Sequence, residues 1–195
     1  MKAIRAFIAV DLAPEILDHI ENISMQLKSR LSDIPIRWVP SDNIHLTLKF
    51  LGDVSTSNLD MLNKIISTEA EKQSPFELSV GELGAFPSIP RPRVIWIGIE
   101  APSELSILQK GIENETSRLG YARERRPFSA HLTIGRVSRN ANANQVRKIG
   151  DVLTNCKVGF IGAARVDAVY LYRSDLHPAG AVYTKLYTAP FQNSE

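Results

Sequence analysis

Cysteine is nearly absent from this sequence, which has Cys156 alone among its 195 residues. A single cysteine excludes an internal disulfide framework and suits a reducing compartment. Long hydrophobic runs are also lacking, because no apolar stretch approaches the ~20 residues of a membrane helix and the run at residues 6–10 is too short for a signal peptide. We therefore expect a cytoplasmic protein without a membrane segment.

Strong charge of either sign is lacking as well, since the formal net charge is only +2. This mildly basic balance is too weak to indicate nucleic-acid binding by itself, although it permits an anionic substrate. The hydrophobic content of 44% and the charged content of 23% are those of an ordinary globular protein. The length suits one large domain or two lobes that share a core.

Histidine is scarce, but two of the four histidines lie in the same short pattern. Residues 44–48 read IHLTL and residues 130–134 read AHLTI, so each segment contains His, apolar, Thr, apolar. In a β-strand alternate side chains share a face, which places His45 and Thr47 together and their apolar neighbours opposite. The same alternation pairs His131 with Thr133. Each strand would present an imidazole and a hydroxyl to one side and a core face to the other.

The two motifs occupy matching places in a chain whose order of elements repeats. Residues 11–16 (DLAPEI) and 100–105 (EAPSEL) both follow an apolar strand and open a helix. Each half continues with a motif strand, a helix and a further strand, and the two histidines are separated by nearly half the chain. We interpret this pattern as an internal duplication. A pseudo-twofold axis would bring the two His/Thr pairs to opposite sides of one groove, and antiparallel strands with flanking helices make the fold α+β.

Hydrophobic periodicity predicts four helices. The first three start near residues 11, 55 and 100 and end near residues 31, 71 and 119, and residues 140–155 form a loop and then the fourth helix. Apolar and β-branched runs predict the strands. The predicted strands are 5–11, 45–51, 76–83, 94–99, 128–136, 158–161, 165–173 and 181–189, with a short extended piece at 37–40. Gly52 closes the first motif strand, and residues 191–195 form a frayed tail.

Two imidazoles that face one groove form a minimal acid–base pair. One takes a proton from an attacking water or hydroxyl while the other gives a proton to the leaving oxygen. This pair suits in-line displacement at phosphorus, and the threonine hydroxyls can donate hydrogen bonds to the non-bridging oxygens. The arrangement needs no metal and no covalent intermediate.

The pattern allows two other uses of the histidines. A metal site normally has a third or fourth His, Cys, Asp or Glu ligand, and the sequence has neither HExxH nor CxxC, while threonine is a poor zinc ligand. Two hydrogen-bonded core histidines are the plainer alternative. The His-apolar-Thr-apolar pattern occurs twice, at matching places in the duplication. This repetition favours the acid–base pair over the metal site and over the two core histidines.

Several further segments carry a family resemblance: RAFIA at 5–9, WVP at 38–40, HLTLKFLG at 45–52, GAFP at 84–87, PRVIWIG at 92–98, FSAHLTIGR at 128–136, LYRS at 171–174 and GAVY at 180–183. With the two motifs, they make the sequence similar, nearly end to end, to the two-histidine (2H) phosphoesterases. Within that superfamily it resembles the bacterial and archaeal RNA 2′,3′-cyclic phosphodiesterases, historically called 2′-5′ RNA ligases. One departure is Ala130, where the family commonly has proline. This change removes no chemical group.

The resemblance implies a bilobal, pseudo-twofold fold with two antiparallel sheets, outer helices and a central cleft. On this basis we expect a single bilobal domain over residues 1–195, with repeat-like units at about 4–90 and 93–190. The resemblance also implies hydrolysis of RNA 2′,3′-cyclic phosphate ends to 2′-phosphates, without a cofactor. It makes His45 the proton donor and His131 the proton acceptor, with Thr47 and Thr133 holding the phosphate. The motifs themselves fix the pair but not which histidine does what. The same site run backwards could join RNA ends through a 2′-5′ bond, and no GxxxxGK[ST] loop is present for a nucleotide.

Arginines flank the second motif, and we expect Arg126 and Arg136 to contact RNA phosphates, whereas Arg123 and Arg125 are as well explained as solvated surface residues. Trp38 and Trp96 could stack bases, but their apolar flanks favour core packing. The expected partner is RNA with a 2′,3′-cyclic phosphate or a 2′-5′ linkage, and the expected state is a monomer. The alternatives are a phosphodiesterase for a small cyclic nucleotide and an RNA-end-binding module with little catalysis.

Overall fold

The computed structural model describes residues 3–178 and 180–192 as four helices and nine strands, with two short 3₁₀ turns, Ser41–Asn43 and Thr56–Asn58. The helices are α1 (Pro14–Arg30), α2 (Leu59–Ala70), α3 (Ser103–Arg118) and α4 (Ala143–Asn155). The strands are β1 (Ala3–Val10), β2 (Ile36–Trp38), β3 (Leu46–Ser55), β4 (Phe76–Phe86), β5 (Val94–Glu100), β6 (His131–Val137), β7 (Phe160–Val166), β8 (Ala168–His177) and β9 (Gly180–Pro190). Among these residues, no helix has the length and hydrophobicity to cross a membrane.

The helix ends follow from local sequence. Pro14 occupies the first turn of α1, where its missing N–H costs nothing, and Glu15 beside it and Arg30 in the last turn complement the helix dipole. Helix α4 begins with a capping box, in which the side chains of Asn142 and Gln145 each accept a hydrogen bond from the other's backbone N–H. These signals fix where the outer helices start and hence how they lie on the sheets.

The strands form two antiparallel sheets with the orders β3-β1-β8-β9 and β2-β6-β5-β4-β7. The motif strands β3 and β6 hold equivalent positions, because β3 pairs with β1 and β6 pairs with β5, the first strand of each half. The third position is taken by β8 in one sheet and β4 in the other. Each sheet therefore combines strands from both halves of the chain. The α+β fold with two antiparallel sheets and a duplicated unit is confirmed.

Each sheet has a helix-covered face that contains the hydrophobic core. Helices α2 and α3 pack on the four-stranded sheet, and α1 packs on β7 of the five-stranded sheet. Ile8, Leu46, Ile97 and Leu132 are each 1% exposed or less on these faces. Burial of such a side chain stabilises the fold by about 1.5–3 kcal/mol. The core thus fixes each motif strand through one face, and the polar side chains of the motif lie on the opposite face.

A buried ion pair joins the first motif strand to the segment that precedes the second motif. Lys49 of β3 is 4% exposed, and its Nζ lies 2.7 Å from Glu113 Oε1 on α3 and 2.5 Å from the Ala122 carbonyl oxygen. The same Glu113 oxygen accepts a hydrogen bond from the Glu124 backbone N–H at 3.0 Å. This network fixes the start of the loop that leads into β6.

Three predicted boundaries are wrong for identifiable reasons. The first motif strand does not stop at Gly52 but continues to Ser55, since Gly52 adopts φ +70° in an irregularity that keeps β3 paired with β1. The predicted strand 165–173 is two strands separated at Asp167. The helix expected from residue 55 starts at Leu59, because the intervening residues form a 3₁₀ turn.

The predicted frayed tail also starts too early. Phe191 is 6% exposed and stacks on Phe76 with ring centroids 5.6 Å apart. Its backbone N–H donates to the Asp167 carbonyl oxygen, and the next residue, Gln192, donates to the Gln73 carbonyl oxygen. The end of β9 is therefore held in the core. Residues 193–195 lie outside the described residues.

Candidate active site

The second motif lies on β6, with its polar side chains on the face of the sheet opposite the helices. Residues directly opposite each other on paired strands share a face, and Gly98 and Trp96 of β5 lie opposite His131 and Thr133. Both motif side chains are half-buried, whereas Leu132 is fully buried on the other face. The alternation predicted from the sequence is present.

The first motif has the same arrangement at the start of β3. His45 immediately precedes the strand, Thr47 lies opposite Ala9 of β1, and both polar side chains are half-buried. Leu46 and Leu48 are 1% and 3% exposed. An imidazole and a hydroxyl therefore project from each of two equivalent strands.

The segment between β2 and β3 brings the two motifs together. The Val39 backbone N–H donates to the Ile134 carbonyl oxygen at 2.9 Å, so the chain leaves β2 beside the second motif. After the 3₁₀ turn at Ser41–Asn43 it reaches His45, and the Asn43 side chain anchors this turn by donating to the Ala181 carbonyl oxygen at 2.8 Å. The two motifs thus start from neighbouring points, where β3, an edge strand of one sheet, approaches β6 of the other.

The orientation of His131 leaves one ring nitrogen available. Its Nδ1 lies 2.7 Å from the Ser129 carbonyl oxygen, which can only accept, so the Nδ1–H donates. In the neutral ring Nε2 then carries the free lone pair. Phe86 packs its ring against His131 edge-on at 4.9 Å and holds the imidazole in place. The ring is therefore fixed by one hydrogen bond and one aromatic contact.

His45 lies in an aromatic cluster that removes much of its contact with water. Phe7 stacks on the imidazole at 4.6 Å, and Tyr183 packs edge-on at 5.1 Å. This burial lowers the pKa of His45 to about 4, against the opposing effects of the negative charge of Asp11 and a hydrogen bond to the backbone of Asn43. In the ligand-free protein His45 is therefore neutral at pH 7.

A hydrogen-bonded group around Asp11 adjoins His45. The Tyr172 hydroxyl lies 2.7 and 2.8 Å from the two Asp11 carboxylate oxygens, and Lys185 Nζ lies 2.9 Å from one of them. Burial and the bond to Asp11 raise the pKa of Tyr172, so its hydroxyl stays protonated. Asp11, His45, Tyr172 and Tyr183 line a cavity of about 260 Å³. Tyr172 and Lys185 therefore hold the carboxylate of Asp11 in place beside the imidazole.

The sequence interpretation missed this group. Asp11 directly follows β1, and the last pair of the β1–β3 register is Val10 with Leu46, which places Asp11 next to His45. The sequence shows only that Asp11 follows the first strand, and the register that brings it to His45 is visible in the structure alone. Tyr172 and Lys185 come from β8 and β9, whose place in the sheet no local pattern indicates.

The arginines named from the sequence separate into two groups. Arg136 lies opposite Val94 of β5, which is two residues from Trp96, so its side chain shares the face of Thr133. Arg126 is exposed on the loop between α3 and β6. Arg123 instead bonds the side chains of Ser117 and Asn114 on α3. The structure therefore brings Arg136 to the motif face and leaves Arg126 on an exposed loop.

The two tryptophans also differ. Trp38 packs against the hydrophobic core, as predicted. Trp96 does not, because its register opposite Thr133 turns it to the motif face, where it is half-buried beside Phe86 at 5.4 Å. Its ring covers Gly84, at which any Cβ would clash with the indole. Trp96 forms the floor of the site next to the second motif.

A duplicated fold that presents one imidazole and one hydroxyl from each of two equivalent strands has the groups of a two-histidine phosphoesterase. Within the described residues, no three His, Cys, Asp or Glu side chains gather as metal ligands would. The model of the LigT-like phosphoesterase family matches the chain twice, at residues 10–96 and 97–183. The chain belongs to the LigT-like phosphoesterase family, which confirms the resemblance seen in the sequence.

Relatives and solved structures agree with this assignment. The chain is 37% identical to an RNA 2′,3′-cyclic phosphodiesterase of Methanothermobacter thermautotrophicus, over 94% of this chain and 96% of the relative. It is 34% identical to a protein of the same name from Archaeoglobus fulgidus, over 93% of this chain and 97% of the relative. The crystal structure of Escherichia coli LigT complexed with 3′-AMP superposes with a TM-score of 0.79 at 26% identity, covering 98% of this chain and 100% of that one.

Proposed function

We propose that this protein hydrolyses 2′,3′-cyclic phosphate ends of RNA to 2′-phosphomonoesters without a metal ion. The observation that carries the proposal is the pair of His/Thr motifs on equivalent strands of a LigT-like fold. The relatives named RNA 2′,3′-cyclic phosphodiesterase support the substrate class.

In the proposed reaction a water oxygen attacks phosphorus while the bond from phosphorus to the 3′ oxygen breaks. His131 takes the water proton on Nε2, a role that suits a ring whose Nδ1–H is held by the Ser129 carbonyl oxygen. His45 gives a proton to the departing 3′ oxygen. Thr47 and Thr133 donate hydrogen bonds to the non-bridging oxygens, where negative charge accumulates.

The donor role of His45 requires a substrate-linked change in its protonation. With a pKa of about 4 in the ligand-free protein, the imidazole carries no proton to give at pH 7. A bound phosphodiester brings a negative charge into the same cleft and raises this pKa, as Asp11 already does in part. Substrate binding and protonation of His45 are therefore coupled in this mechanism.

We further propose that Arg126 and Arg136 contact RNA phosphates and that the protein acts as a cytoplasmic monomer. In ligation, a 5′-hydroxyl takes the place of water. His131 takes the hydroxyl proton, His45 gives a proton to the departing 3′ oxygen, and a 2′-5′ bond forms. This step uses the energy of the strained cyclic phosphate and needs no nucleoside triphosphate.

The test is turnover of an oligoribonucleotide that ends in a 2′,3′-cyclic phosphate, with EDTA present. We expect a 2′-phosphate product and losses of about 10²–10⁴-fold in kcat for His45→Ala and for His131→Ala. His19→Ala is the matched control, because His19 is exposed on α1 outside the motifs. Undiminished turnover in either motif variant would refute the mechanism.

The same experiment separates the alternatives. Faster turnover of 2′,3′-cyclic mononucleotides than of oligomers would indicate a phosphodiesterase for small cyclic nucleotides. Salt-dependent RNA binding without turnover would indicate an RNA-end-binding module.

A further inference from the structure

Four arginines line an open cleft of about 770 Å³ at one end of the five-stranded sheet. Arg37 comes from β2, Arg136 from β6, Arg93 immediately precedes β5 and Arg139 follows β6. We call these four residues the arginine cluster. None of the four belongs to either motif, and three of them, Arg37, Arg93 and Arg139, have no role in the proposed chemistry.

The register places the arginine cluster on the same face as the second motif. Trp96 and Val94 alternate along β5 and face Thr133 and Arg136 respectively, so these two β6 side chains share one face. Arg37 lies directly opposite Arg136 on β2 and thus faces the same way. The two positions on β5 are about 7 Å apart, so the cluster begins within one arginine length of Thr133.

The charge of the arginine cluster is not neutralised by the protein. Among the described residues, none of the four guanidinium groups forms an ion pair with a carboxylate, and Arg93 instead donates to the Ser138 carbonyl oxygen at 3.1 Å. The direct cross-strand pair of Arg37 and Arg136 sets like charges side by side, which is unfavourable in a sheet. An anion between them removes this cost, and guanidinium forks match phosphate oxygens in geometry.

We propose that the arginine cluster binds the phosphates of the RNA chain that adjoins the reacting end, which makes the enzyme prefer oligomers to mononucleotides. This inference rests on the proposed function. A cyclic mononucleotide has a single phosphate, and the two threonines hold it. Only a longer chain carries further phosphates along the motif face to the arginines. The arginine cluster contacts only the phosphate backbone and gives no preference for particular bases.

The test compares Arg37→Gln/Arg139→Gln with Arg30→Gln/Arg147→Gln, a control that removes two exposed arginines from the helices behind the sheet. Both variants lose the same charge. Two substrates are used, a decaribonucleotide ending in a 2′,3′-cyclic phosphate and 2′,3′-cyclic CMP. We expect the ratio of kcat/KM for the decamer to that for the mononucleotide to fall by about 10-fold or more in the cluster variant. The ratio should stay near the wild-type value in the control.

Binding is measured separately by fluorescence anisotropy of a labelled decamer that already ends in a 2′-phosphate. The slope of log affinity against log salt should become shallower by about 1.4 in the cluster variant, because two contacts to a single strand are lost. An unchanged slope together with an unchanged substrate ratio would overturn the inference. If the wild type shows no turnover but its salt slope still depends on Arg37 and Arg139, the proposed function is refuted. The arginine cluster is then still supported as a surface that binds RNA phosphates.

Discussion

The protonation of His45 should change when substrate binds, and the size of the shift in its pKa follows from the structure. In the ligand-free protein the pKa of about 4 lies three pH units below neutrality. At about 1.4 kcal/mol per unit, protonating His45 at pH 7 costs about 4 kcal/mol. A single negative charge about 4 Å away supplies about 4 kcal/mol at the effective dielectric constant of ~20 that suits protein sites. A bound phosphodiester is therefore just able to raise this pKa to near 7.

The assay is a pH titration of the imidazole nitrogens by NMR in the His131→Ala variant. Loss of the proposed base preserves the cyclic nucleotide during the measurement, and its phosphate keeps one charge across the titration. We expect His45 to titrate near pH 4 without ligand and near pH 7 with 2′,3′-cyclic CMP. His19, exposed on α1, provides an internal reference in the same spectra.

Binding must show the reciprocal effect. Because the complex holds one more proton than the free protein between pH 4 and 7, affinity should rise as pH falls, by up to ~10-fold per unit. A His45 signal that titrates near its ordinary pKa without ligand would contradict the burial argument. A low pKa that does not move when the cyclic phosphate binds would contradict the donor role.

Three further predictions follow from neighbouring contacts. The folded-state pKa of His45 lies below its ordinary value of 6.5, so folding opposes protonation, and about 3 kcal/mol of stability present above pH 6.5 should be lost as pH falls to 4; urea unfolding of His45→Gln should lack this dependence. Asp11→Asn removes the charge that raises the pKa of His45, so the NMR midpoint should move to lower pH in the free and bound states. Lys49→Ala should destabilise the fold by about 3–5 kcal/mol by leaving Glu113 unpaired, whereas Lys49→Met/Glu113→Leu should cost much less in thermal unfolding.

The motif faces were predictable because alternation along a strand is a local property. His131 and Thr133 needed only the period of two and the apolar residues between them. The duplication was equally visible, since it is a comparison of the chain with itself. The boundary at Asp167 was missed because β7 and β8 join without a break in composition, and the boundary at Gly52 was wrong because β3 continues past this glycine.

The surroundings of the motifs were not predictable in the same way. Tyr172 and Lys185 reach Asp11 only because β8 pairs with β1 and β9 pairs with β8. Arg37 meets Arg136 only because β2 pairs with β6. These contacts depend on sheet order, which joins residues far apart in the chain, and no periodicity encodes it.

The same pairing explains how a duplicated site acquires two different histidines. The registers match Ala9 opposite Thr47 with Trp96 opposite Thr133. Two residues further along the chain in each case, Asp11 adjoins His45, whereas Gly98 lies opposite His131 and has no side chain. A carboxylate beside one imidazole favours its protonated form, and a free Nε2 on the other favours proton uptake. In the proposed mechanism, the asymmetry between acid and base therefore comes from the first strand of each half and not from the motifs themselves.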